Sequence, residues 1–175
     1  MDENQKSALK PSLTSGLILG VILIVYSLIL YIADLNENTW AASFSYVITA
    51  VVLYFAIVNF RDKEQNGFLA YGKGVSVGTL TGLFASVLLA IFTYIYVAYI
   101  DTSILETMIV NAEESIIESN PNIGDAELDQ ALGIVEIFNT PVMMSIMAGL
   151  WYTIISLVFS LLISIFAKQE DTNIA

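Results

Sequence analysis

Hydrophobic and polar positions divide the chain into four long apolar runs separated by short polar turns and one long, patterned loop. The runs cover residues 13–33, 40–60, 75–100 and 142–167, and none contains Asp, Glu, Lys or Arg. Apolar side chains lie all around each run, unlike the single apolar stripe of a helix on a soluble protein. A helix needs about 20 residues to cross a hydrocarbon core of ~30 Å, so each run predicts a membrane span. The first run is longer than a signal-peptide core and is followed by "DLNENTW" where a cleavage site would need small residues. It is therefore expected to be retained. Pro11 fits the first turn of that helix, where a missing N–H costs nothing.

Inside the runs, small residues recur every four positions. Gly74, Gly78, Gly82, Ser86 and Ala90 punctuate "GKGVSVGTLTGLFASVLLA", Ser12, Gly16 and Gly20 do so in the first run, and Ser156, Ser160 and Ser164 in the fourth. Residues four apart share a helix face. In lipid, where no hydrophobic force joins helices, small residues allow the close backbone approach that holds them together. Matching stripes on several helices favour packing within one chain over packing between copies.

The long loop between the third and fourth runs has a helical period. Ile104, Leu105, Met108, Ile109, Ala112 and Ile116 fall on one face, and Leu128, Ala131, Leu132, Val135 and Phe138 make a second stripe. Ser103 and Glu106 have capping-box spacing. Pro121 should close the first helix, residues 122–124 should turn, and Thr140 with Pro141 should start the fourth span. The loop is thus expected to be a helical hairpin.

Charge gives this pattern a direction. All six basic residues (Lys6, Lys10, Arg61, Lys63, Lys73 and Lys168) flank the same ends of the spans, and the other two loops contain none. The positive-inside rule then predicts cytoplasmic termini and an external hairpin. That hairpin is acidic, with Asp101, Glu106, Glu113, Glu114, Glu118, Asp125, Glu127, Asp129 and Glu136. The net charge of −11 argues against a nucleic-acid partner.

Candidate chemistry changes the picture little. There is no Cys and no His, which removes thiol chemistry and the commonest zinc ligands. No ionisable residue interrupts a span, so the default pointer to proton or ion coupling is missing. Gly72, Lys73 and Gly74 do not form a phosphate loop. Asp125, Glu127, Asp129, Gly133 and Glu136 occupy positions 1, 3, 5, 9 and 12 of an EF-hand-like loop, but Gln130 stands where the turn needs glycine. The acids fit a solvated helix face better.

"ALKPSLTSGLILGVILIVYSLILYI", "GFLAYGKGVSVGTLTGLFASVLLAIFTYIYVAYID" and "ISLVFSLLISIFAKQED", in this order, resemble the family known as domain of unknown function 4199. Members are small bacterial membrane proteins, mainly of the Bacteroidota. Many carry a proline soon after the Asp of the "YID" motif, where this chain has Thr102 and Ser103. The resemblance implies four membrane helices with a long third loop in the bacterial inner membrane, and it brings no known activity or ligand.

The expectation is an all-α, four-transmembrane-helix bundle with both termini inside and an extracytoplasmic acidic amphipathic hairpin at 101–140, all in one membrane domain over 1–175. The expected role is a non-catalytic accessory or interaction module in the lipid bilayer. Its hairpin would meet a protein partner, lipid headgroups or divalent cations. The rival is a small oligomeric transporter or channel with an acidic, cation-attracting mouth. No catalytic, cofactor or metal residue is expected; a homo-oligomer is possible but not indicated.

Overall fold

The computed structural model describes residues 7–35 and 38–169. Among them the chain is helical: α1 (Leu9–Ile32), α2 (Thr39–Glu64), α3 (Tyr71–Ile95), α4 (Ser103–Ser119), α5 (Asp125–Phe138) and α6 (Pro141–Ala167). A π-helical turn, Tyr96–Ile100, continues α3 directly, with Asp101 N–H donating to the Tyr96 carbonyl at 2.8 Å. Helices α1, α2, α6 and the combined Tyr71–Ile100 are each long and apolar enough to cross a membrane. They contain the four predicted runs almost entirely and extend a few residues past most of their ends. The π turn has no counterpart in the sequence pattern.

Two compact units make up the chain, one of residues 1–89 with 149–175 and the other of residues 90–148. The first holds α1, α2, most of α3 and most of α6. Leu19, Leu23, Leu53 and Ala85 form one buried cluster, and Ile57, Phe60, Leu69 and Val77 belong to another. The interior also takes in hydroxyls: Ser12, Thr49, Thr81, Ser156, Ser160 and Ser164 are fully buried. Large apolar side chains point outward, with Phe166 83% exposed and Trp151 61% exposed. Small and polar inside with large and apolar outside is the distribution that a lipid solvent favours.

Local chemistry explains the helix ends. α1 closes in a Schellman motif. Leu35 N–H donates to the Leu30 carbonyl at 2.9 Å and Asp34 N–H to Tyr31 at 3.1 Å, with Asp34 left-handed at φ 55°. α2 opens on Asn38, whose Oδ1 accepts from the Trp40 and Ala41 amides at 3.0 and 3.1 Å. Beyond α2, Asn66 and Gly67 turn with φ of 53° and 88°. Leu69 then pairs with Gln169 in an isolated antiparallel bridge, N–H to carbonyl at 2.8 and 3.0 Å. Arg61, ion-paired with Asp62 at 2.7 Å, also donates to the Ala167 carbonyl at 3.3 Å. α2, the following loop and the end of α6 are thereby joined at the basic end of this unit.

α4, α5 and the π turn lie in the second unit. The capping box expected at Ser103 is not formed: Ser103 already lies inside α4, and its hydroxyl donates to Asp101 Oδ1 at 2.5 Å. A residue with helical backbone inside the first turn is not placed to cap it, since a cap stands outside the helix. The start of α6 follows expectation, with Thr140 Oγ1 accepting from Met143 N–H at 3.3 Å.

Candidate functional site

Two places concentrate the features that the sequence singles out, one in each unit. In the first, Gly74, Gly78 and Gly82 of α3 meet Ser164, Ser160 and Ser156 of α6 in antiparallel register, one four-residue step against another. A β-carbon at Gly74 would lie 2.8 Å from Ser164 Oγ, and one at Gly78 2.8 Å from Ser160 Cβ. At Gly82 it would overlap the Ser156 side chain outright. Only glycine fits at these three positions. Ser160 donates to the Ser156 carbonyl at 2.6 Å. The Ser156 and Ser164 hydroxyls have no hydrogen-bond partner among the described residues. They face the glycine backbone, where weak Cα–H···O contacts recur between helices.

A different face of α3 receives α1. A β-carbon at Gly16 would be 2.6 Å from Phe84 Cβ and from the Thr81 carbonyl, and one at Gly20 2.8 Å from Leu88 Cδ1. Ser12 donates across to the Val77 carbonyl at 3.2 Å, which also accepts from Thr81 at 2.8 Å. α3 is therefore the hub, parallel to α1 and antiparallel to α6. The stripes pack within the chain. Two further hydroxyl contacts join the helices, one of them at Ser86 of the α3 stripe. Thr153 Oγ1 is 2.9 Å from Ser86 Oγ, and Thr49 bonds Tyr152 through their hydroxyls. Thr81 went unremarked in the sequence, where a lone hydroxyl inside a span was the only signal. The glycine–serine seam between α3 and α6 positions these two helices against one another.

The second place is the α4–α5 hairpin. Ile104, Leu105, Ile109, Ala112 and Ile116 are half-buried, as are Leu128, Ala131, Leu132 and Val135, so the two predicted stripes are the inner faces of the pair. Met108 and Phe138, assigned to those stripes by periodicity, are instead exposed, 46% and 52%. Asn139 Nδ2 donates to the Leu105 carbonyl at 2.7 Å and ties the end of α5 to α4. The outer face of α5 still shows Ile134 and Ile137, at 57% and 61%, beside Phe138. On α4, Val110 and Ile117 line a shallow groove of about 370 Å³ whose other walls are Glu113, Glu114 and Glu118.

Asp125, Glu127, Asp129, Gly133 and Glu136 all lie within α5. A continuous helix spreads the EF-hand-like positions along its length, and a calcium loop would have to wrap them around one point. Among the described residues there is no group of three or more acidic side chains placed to hold a metal ion.

Comparison with known protein families places the chain. The profile of a family described as "Protein of unknown function (DUF4199)" covers residues 14–169. No curated protein and no solved structure matches the chain significantly.

Proposed function

The chain belongs to the DUF4199 family of proteins of unknown function, and from that premise we propose that it is a non-catalytic interaction module of the bacterial inner membrane. The confinement of all six basic residues to one set of span ends supports cytoplasmic termini and a periplasmic hairpin. The α3–α6 seam, closed by glycine against serine, favours a fixed bundle over a solute path within one chain.

One observation carries the reading of the hairpin. α4 and α5 bury a stripe each against one another and still expose Ile134, Ile137 and Phe138 on α5, and Val110 and Ile117 on α4, the latter pair bordered by Glu113, Glu114 and Glu118. Exposed apolar side chains on an acidic hairpin fit a protein partner with a small apolar contact and a basic rim. The test is a photo-crosslinking residue at Ile137 in intact cells, followed by identification of the product. One predominant protein should be captured, and less of it once Glu113, Glu114 and Glu118 are changed to Gln. Capture of lipid alone, or cation flux by the purified protein in liposomes, would reject the module in favour of a surface anchor or a channel.

A further inference from the structure

At the basic end of the first unit, α1 and α2 diverge around an open groove of about 570 Å³. Its walls change chemistry in layers. Lys10 of α1 and Lys63 of α2 stand at the mouth, with Ser7 beside them and Glu64 on the α2 wall. Thr14, Ser15 and Asn59 form the next layer, and Ile18 and Ala56 the deepest. α1 rises about 1.5 Å per residue, so Lys10 and Ile18 are about 12 Å apart along its axis. α2 runs along the same groove from Lys63 to Ala56, about 10 Å, with the polar Asn59 between them.

That sequence of layers matches one kind of molecule. A phospholipid presents an anionic phosphate, then ester and glycerol oxygens, then acyl chain, over a comparable depth. We propose that this groove is a binding site for an anionic phospholipid of the adjoining leaflet. Lys10 and Lys63 flank the phosphate, the Ser15 hydroxyl and the Asn59 carboxamide serve the ester oxygens, and Ile18 and Ala56 receive the start of a chain. Charge complementarity selects the anionic headgroup. In a chain with 17 acidic and 6 basic residues, two lysines converge here from separate helices, with Glu64 the one carboxylate among the described lining residues. Basic pockets between membrane helices hold anionic headgroups in this way. A free phosphate would satisfy the mouth and leave the deeper layers unfilled. The inference rests on α1 and α2 being membrane spans and is independent of the hairpin's partner.

The test uses the full chain in nanodiscs of phosphatidylcholine with graded phosphatidylglycerol, released gently and weighed by native mass spectrometry. Phosphatidylglycerol should stay bound in preference to phosphatidylcholine, and millimolar inorganic phosphate should not displace it. Lys10→Gln with Lys63→Gln should weaken retention about twenty-five-fold, since each cation near an anionic surface contributes on the order of a factor of five. Lys73→Gln with Lys168→Gln, the same charge change outside the groove, should leave retention unchanged. Ser15→Phe fills the middle layer without altering charge and should also release the lipid, so the result does not depend on the double lysine variant alone. Equal retention of the two lipids, displacement by inorganic phosphate, or equal loss in both lysine pairs would overturn the proposal.

Discussion

Ser160 occupies the volume that a β-carbon on Gly78 would need: such an atom would lie 2.8 Å from Ser160 Cβ and closer still to its Oγ. Neighbouring pairs repeat the relationship, Gly74 with Ser164 and Gly82 with Ser156. Glycine clears the space and serine fills it. In lipid, that filling is the main source of attraction available to two helices.

Gly78→Ala should therefore destabilise the bundle by about 1–3 kcal/mol, the usual cost of overpacking a close contact. Adding Ser160→Gly should recover most of that loss, because the two substitutions act on one volume. Leu83→Ala, at a side chain 42% exposed, should have little effect. Reversible unfolding in mixed micelles measures all three. Independent, additive losses for Gly78 and Ser160 would contradict the seam.

The proposed topology makes a labelling prediction. Ala70 and Asn122 are both exposed, one after α2 and the other between α4 and α5. In intact cells a membrane-impermeant thiol reagent should modify Asn122→Cys and spare Ala70→Cys until the membrane is opened. The reverse pattern would invert the protein.

Asn139→Ala should loosen the hairpin specifically. It removes the bond to the Leu105 carbonyl, a contact expected to be worth about 0.5–1.5 kcal/mol. Hydrogen exchange should accelerate through α4 and α5 while the amides of α1 and α2 keep their protection. Uniform acceleration across all helices would show that the hairpin does not open as a unit.

The acids of the α4–α5 hairpin should behave as a diffuse field toward calcium. Glu136→Gln and Glu113→Gln should reduce binding equally, and the residual should fade with added salt, whose screening length is ~8 Å at physiological strength. Calorimetry that found one tight site lost only in Glu136→Gln would require α5 to unwind around the ion.

The sequence by itself determined the four spans, because a bilayer demands about 20 uninterrupted apolar residues and tolerates few substitutes. It also determined most of the hairpin's inner faces, since Ile104 to Ile116 and Leu128 to Val135 border water and must follow the helical period to find cover. The period alone was not enough for every position: Met108 and Phe138 satisfy it and are still exposed. The Ser103 capping box failed because α4 begins at Ser103 itself, which puts that residue inside the helix rather than at its cap. Only the tertiary structure decided which stripe meets which. Nothing in a run that is apolar all round says that Gly78 faces Ser160, or that Val77 and Thr81 on another face of α3 serve α1. In water, burial would choose the inward face of each helix. Lipid solvates every apolar face alike, so the choice falls to fit between surfaces, and fit exists only once both helices are in place.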